Sequence, residues 1–145
     1  MIDSASARET AEAGEEIAGR LTGGDVVLLR GELGAGKTTF AQGIARGLGV
    51  AGPVQSPTFT LVAEYDAPAI GRHGQFVHVD LYRLDGAVEI DTVGLEQYFD
   101  REDVVTVIEW PERAPPALFP VHWSVDIASG EDDRRRISIR EPGDE

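Results

Sequence analysis

Eight residues limit what this chain can fold into: residues 31 to 38 read GELGAGKT, the pattern G-x-x-x-x-G-K-[ST] with Gly31, Gly36, Lys37 and Thr38 at its fixed positions. With 17 glycines, one lysine and 14 serines plus threonines in 145 residues, chance supplies roughly 0.001 such matches, so the run reads as a phosphate-binding loop. Its glycines reach backbone dihedrals closed to other residues. Successive N–H groups can then turn inward, making an anion-binding concavity that closes on the N-terminus of the next helix. The Lys37 ammonium is placed to reach phosphate oxygens, and the Thr38 hydroxyl offers Mg²⁺ a hard oxygen. Such a loop works only between a buried strand and a helix, and both flanks comply. DVVLLR before it is the short β-branched and aliphatic run of a strand covered on both faces. KTTFAQGIARGLG after it sets Phe40, Ile44 and Leu48 at i, i+4 and i+8, with Gly49 in the stop position.

The remaining segments extend this unit. Ser6 and Glu9 stand at capping-box spacing ahead of Ile17 and Leu21, which predicts a helix over about residues 6 to 21, ended near Gly23-Gly24. AGPVQSPTF reads as a loop punctuated by Pro53 and Pro57. TFTLVAEY then alternates like a half-exposed strand, with QFVHVD as its hairpin partner. DGAVEIDTVGLEQYFD predicts one or two short helices capped by Asp85 and broken near Gly94. DVVTVIEW is a second strongly apolar strand, and Pro111, Pro115, Pro116 and Pro120 predict irregular structure after it. VHWSVDI and RRISIR read as a closing hairpin. The expected fold is a single α/β domain, the three-layer P-loop NTPase fold, with a mixed, partly parallel sheet: parallel core strands and antiparallel outer pairs.

A metal at such a loop takes an acid from the end of another apolar strand. Asp80 after QFVHV and Glu109 after DVVTVI are the two candidates. Glu109 closes the more hydrophobic strand and is assigned to the Mg²⁺ shell, directly or through water. Asp80 is assigned to positioning the metal's waters or the attacking water. The alternative for each is a solvated carboxylate at a strand end. The candidate catalytic set is thus Lys37, Asp80 and Glu109, with Thr38 and Glu109 as metal ligands and Leu33, Gly34, Ala35, Gly36, Lys37, Thr38 and Thr39 as nucleotide-binding residues. His78, Asp80 and Tyr82 alternate onto one face of an extended segment and could all approach the phosphate side. Alternatively, His78 and Tyr82 pack, and Arg83 pairs with a carboxylate. Arg134, Arg135 and Arg136 read as a solvated hairpin end. No arginine is identifiable as a finger in cis, a group that contributes about 10³ to 10⁵ in rate, so the isolated chain is expected to hydrolyse slowly.

Absences narrow the field. There is no asparagine and the sole lysine is in the loop, so a guanine-specific N-K-x-D motif is impossible; an LSGGQ signature is also missing. An adenine nucleotide is the expected ligand. Thirteen cations against 26 acids leave a net charge of −13, which disfavours an autonomous grip on nucleic acid. Residues 86 to 113 hold eight acids and two arginines, whereas residues 31 to 50 hold one acid and two cations. Without cysteine there is no disulfide, thiolate zinc site or cysteine nucleophile. The longest aliphatic run, Val26 to Leu29, is far below the roughly 20 residues that span a bilayer, and no signal pattern opens the chain, so a cytoplasmic protein is expected.

Four blocks, GELGAGKTTF (31 to 40), SPTFTLV (56 to 62), HVDLYRL (78 to 84) and VIEWPER (107 to 113), together resemble in order and spacing the TsaE (YjeE) family. These are small bacterial P-loop ATPases of tRNA threonylcarbamoyladenosine (t6A) biosynthesis, and the likeness spans roughly residues 6 to 113. The resemblance implies binding of ATP and Mg²⁺ and association with TsaB and TsaD, which transfer the threonylcarbamoyl group to the adenosine beside the anticodon. ATP hydrolysis would reset that complex between turnovers. Matched residue by residue, Lys37 and Thr38 take the phosphate and metal roles, Glu109 the metal role and Asp80 a catalytic one. Ser56 to Phe59 resemble a switch-like loop, Thr10 a nucleotide-proximal threonine near the adenine side, and Trp110 a functionally sensitive tryptophan whose alternative is ordinary packing. At −13, tRNA would be met through a basic partner surface or excluded by the chain's position on the complex. Two rivals share the loop. A small-molecule kinase would want a cationic lid, which the acidic stretch from 86 to 120 does not offer, and a non-catalytic interaction protein would bind nucleotide only to order SPTF for docking.

Overall fold

The computed structural model describes residues 1–32, 34–55, 61–83 and 94–143. Its strands are β1 (Ile2–Ser4), β2 (Val26–Arg30), β3 (Val62–Asp66), β4 (Gln75–Asp80), β5 (Val104–Glu109), β6 (Trp123–Ser129) and β7 (Arg135–Arg140). They form one sheet in the order β1-β7-β6-β2-β5-β4-β3. The four central strands, β6, β2, β5 and β4, are mutually parallel. Antiparallel neighbours flank them, β3 on β4 at one side and β7 on β6, then β1 on β7, at the other. The mixed sheet is the one expected, with β3–β4 and β6–β7 antiparallel as the sequence predicts and the β1–β7 pair added to them.

Strand periodicity divides the core in two. Val27, Leu29, Phe76, Val105, Val107 and Val125 face a layer made by α1 (Ala7–Ala18) and α2 (Lys37–Gly47). Val26, Leu28, Val77, Val79, Val104 and Ile108 point the other way, against Leu95, Tyr98 of α3 (Glu96–Phe99) and Ala114. A strand covered on both faces gains nothing from polar alternation, so β2 and β5 are apolar except for Arg30, Thr106 and Glu109. Phe40 and Ile44 of α2 are fully buried, each contributing roughly 1.5–3 kcal/mol relative to exposure.

Helices α1 and α2 meet at glycines. A Cβ on Gly14 would lie 2.3 Å from the Phe40 carbonyl oxygen, and one on Gly43 would lie 2.0 Å from that of Ala11. Backbone therefore touches backbone, which carries the start of α2 and its loop close under α1. At the start of α1, the Ser6 hydroxyl accepts the Glu9 N–H at 3.2 Å, as the capping spacing predicts. The reciprocal bond comes to the Glu9 carboxylate from Ala5, at 3.4 Å, rather than from Ser6. The helix stops at Ala18 with Gly19 as its cap, three residues short of the expected Leu21, which is buried all the same.

Two expectations change. The proline-rich segment after β5 is not wholly irregular: Pro111–Arg113 and Pro116–Leu118 each form a 3-10 turn, with proline opening the turn where its missing N–H has no partner to lose. Strand β1 was not anticipated, because three residues carry no periodicity and the pairing of Ile2 with Ile137 joins the two ends of the chain. The predicted strand start at 58–60 and the predicted helix over 85–93 lie outside the described residues, and α3 is the described part of the latter, after Gly94. No described helix is long and apolar enough to cross a membrane.

Candidate functional site

The loop between β2 and α2 opens at the carboxyl ends of the parallel strands, where α/β sheets place ligands. Gly34 and Gly36 have φ of +80° and +102°, values that L side chains rarely adopt. Gly36 is the residue just before α2, so the free N–H groups of the first turn face the loop's hollow. Next to them is a cleft of about 330 Å³, lined among others by Lys37, Thr38, Asp80, Glu109 and Trp110.

Glu109 and Asp80 reach this cleft from neighbouring strands in register, and His78 lies fully buried behind Glu109. Asp80 pairs with Glu109 and His78 with Val107 across the parallel β4–β5 ladder. Side chains two residues apart share a face, so all three carboxylate and imidazole groups lie on the α2 side of the sheet. Glu109 is only 3% exposed, not the solvated strand-end acid of the alternative reading. The Thr38 hydroxyl lies 3.0 Å and 3.1 Å from its two carboxylate oxygens, and His78 Nε2 lies 2.6 Å from Oε2. Asp80 is partly exposed at the end of β4 and accepts the Tyr82 N–H at 3.0 Å.

Lys37 is 4% exposed. Its ammonium donates to the Gly31 carbonyl at 2.6 Å and stands 3.4 Å over the centre of the Trp110 ring. Burial pulls its pKa below the ordinary lysine range, against the opposing charges of Glu109, Glu112 and Asp80. Trp110 follows directly after β5 in the left-handed conformation, φ +59° and ψ +47°, a turn that Pro111 continues. That turn lays the indole over Lys37 and against Tyr82, with ring centroids 4.9 Å apart, and Arg113 caps both aromatics. A non-glycine residue held at positive φ beside the cleft is the kind of strain that gathers at functional sites.

Other predicted residues are placed as follows. Ala35 is fully buried, leaving its backbone to the loop, while Thr39 lines the cleft. Leu33 and Ser56 to Phe59 lie outside the described residues. Thr10 is brought to the loop by its methyl group, because its hydroxyl is engaged by the Ser4 hydroxyl at 2.7 Å and the Ser6 carbonyl at 3.2 Å. Arg135 departs from the solvated-hairpin reading: its guanidinium crosses from β7 to donate to the Gly34 carbonyl at 3.3 Å. The bond spans 101 residues of sequence, and no local signal announces it. The His78–Glu109 contact was missed for a related reason, since it depends on the register between two strands.

These groups fit a magnesium nucleotide. Among the described residues no three His, Asp or Glu side chains gather into a metal cluster. Thr38 and Glu109 instead present hard oxygens at one point, the sparse protein set suited to Mg²⁺, which keeps waters and phosphate oxygens as its other ligands.

Comparison with known proteins follows the same lines. The family model described as "Threonylcarbamoyl adenosine biosynthesis protein TsaE" matches residues 4–137. A tRNA threonylcarbamoyladenosine biosynthesis protein TsaE from Synechocystis is 45% identical over 111 residues, 73% of this chain and 66% of that relative, so the chain spans just under two thirds of its length. One of the same name from Streptomyces coelicolor is 39% identical over 132 residues, covering 88% of this chain and 87% of the relative. Among solved structures, YdiB of Bacillus subtilis superposes with a TM-score of 0.74 at 30% identity, over 98% of this chain and 84% of the other.

Proposed function

The chain belongs to the TsaE family, and from that premise we propose that it is a Mg²⁺-dependent ATPase of t6A biosynthesis that works with TsaB and TsaD. The observation that carries the reading is the contact of the Thr38 hydroxyl with both oxygens of Glu109 at the mouth of a glycine loop. A threonine at the start of α2 and an acid at the end of the adjacent strand are the two protein ligands that phosphoryl-transfer sites of this class use.

On this reading, the loop N–H groups and the start of α2 bind the phosphates, and Lys37 exchanges the Gly31 carbonyl for a phosphate oxygen. Thr38 and Glu109 hold Mg²⁺. When bound, the ion neutralises charge on the transferring phosphoryl group. Asp80, in register with Glu109 and more open to solvent, orients the attacking water. Trp110 and Tyr82 shield the Lys37 side of the cleft from bulk water. Arg135 bonds to a loop carbonyl and so holds the loop's curvature. No described arginine is assigned to the transition state, which fits slow turnover by the chain alone and faster turnover with partners.

The test is phosphate release by wild type and Lys37→Ala, with and without TsaB and TsaD homologues, together with calorimetric ATP binding. Lys37→Ala should lose tight ATP binding and at least about a hundredfold of the partner-stimulated rate, because it removes an electrostatic anchor of the transition state. Normal turnover by that variant would sink the site assignment. ATP binding without phosphate release would favour a nucleotide-dependent scaffold, and transfer of phosphate to an added acceptor would favour a kinase.

A further inference from the structure

We propose that His78 is a positioning residue for the divalent-cation site, its Nε2–H selecting which oxygen of Glu109 meets the cation. The inference rests on the Mg²⁺–ATP reading above. His78 is fully buried in the sheet, packed beside Phe76 with ring centroids 6.1 Å apart. An imidazole withdrawn from water needs hydrogen-bond partners, and the described residues supply one only at Nε2, 2.6 Å from Glu109 Oε2. Among the described residues, Nδ1 is buried without a partner. A hydrogen on Nδ1 would be an orphaned donor in an apolar core, so the tautomer that fits carries its hydrogen on Nε2 and donates it to the carboxylate.

That donor breaks a symmetry. The Thr38 hydroxyl is almost equidistant from the two Glu109 oxygens, at 3.0 Å and 3.1 Å, and does not distinguish them. The terminal torsion of a glutamate is broad, so Thr38 alone leaves the carboxylate plane loosely set. His78 engages Oε2 only, and its position is set by the β4–β5 register, not by a loop. With Oε2 engaged by His78, Oε1 is the oxygen left uncommitted beside the Thr38 hydroxyl, where the cation is proposed to bind. A partner that orients a ligating group in this way typically accounts for 10- to 100-fold of metal affinity.

Packing alone would predict that any planar apolar ring serves at this position, so the variants are chosen to separate the two roles. His78→Phe keeps the ring and removes the donor. His78→Gln places an amide N–H₂ near the site of Nε2, whereas His78→Asn is too short to reach Glu109. Binding of a methylanthraniloyl-ATP probe is followed during Mg²⁺ titration and again in EDTA, with thermal melts to establish folding. His78→Phe and His78→Asn should need about 10- to 100-fold more Mg²⁺ for half-maximal effect, with binding in EDTA unchanged. His78→Gln should return close to wild type. A folded His78→Phe with the wild-type Mg²⁺ requirement would overturn the proposal, as would a His78→Gln as impaired as His78→Asn. That second comparison decides the matter if His78→Phe does not fold. Absence of any Mg²⁺ effect in wild type would overturn the Mg²⁺–ATP reading itself and this inference with it, a failure visible before any variant is made.

Discussion

Lys37 sits where a charge is costly to keep. Burial lowers its pKa from an ordinary value near 10.5, and three carboxylates offset only part of the effect. Within the window between the lowered value and 10.5, the unfolded chain holds more protons at this position than the folded one. Stability from this residue therefore rises with pH through that window and is least favourable below it. Lys37→Met is expected to stabilise the protein near neutral pH by about 0.5–2 kcal/mol, as removing a strained site group commonly does. Thermal melts at about pH 7.5 and about pH 10 should show the wild type catching up with the variant, and a gap that widens with pH would contradict the argument. The neighbouring indole offers an optical readout. Of the two tryptophans, Trp110 lies on the Lys37 ammonium, while Trp123 is buried in β6 beneath Arg20. Mg²⁺–ATP, by drawing Lys37 toward phosphate, should change the fluorescence of Trp110. Trp110→Phe should abolish most of that change, leaving Trp123 emission in place; a full response in the variant would mean that the Lys37–indole contact is not what the nucleotide alters.

The elements around the loop were legible wherever one periodicity held along a segment. The strand before the loop and the helix after it have this quality, because β2 is covered on both faces and α2 on one. The proline-rich stretch was misread because proline blocks a helix interior yet suits its first position, and two 3-10 turns use it there. The α1–α2 crossing was not legible at all. Glycines at 14 and 43 look like helix weaknesses in isolation, and only the opposing carbonyls of Phe40 and Ala11 explain them. Gly43→Ala should cost about 1–3 kcal/mol through overpacking, or roughly 2–4 °C in Tm per kcal/mol for a chain of this size. Gly71→Ala, where an added Cβ meets nothing within 4 Å, should stay within about 0.5 kcal/mol of wild type. Equal melts for the two variants would show that the helices separate at little cost.

At the scale of the whole molecule, a net charge of −13 sets the terms of any encounter with RNA. Phosphate repulsion should leave the isolated protein without measurable tRNA binding at physiological salt, and micromolar affinity in a fluorescence-anisotropy titration would refute this. Contact with tRNA would then run through partners. By itself, the sequence determined the loop, its flanking strand and helix, the one lysine inside it and the acids at two strand ends. Each of these is written within a few adjacent residues, where spacing and side-chain type suffice. The sequence also favoured Glu109 over Asp80 as the acid that joins Thr38; tertiary structure alone decided that both its oxygens lie against the Thr38 hydroxyl, that His78 bonds it, that Trp110 covers Lys37 and that Arg135 reaches Gly34. Those contacts depend on the β4–β5 register, one left-handed residue after β5 and a hairpin folded back from the far end of the chain. Such relations join residues tens of positions apart, and no local pattern of residues encodes the alignment that brings them together.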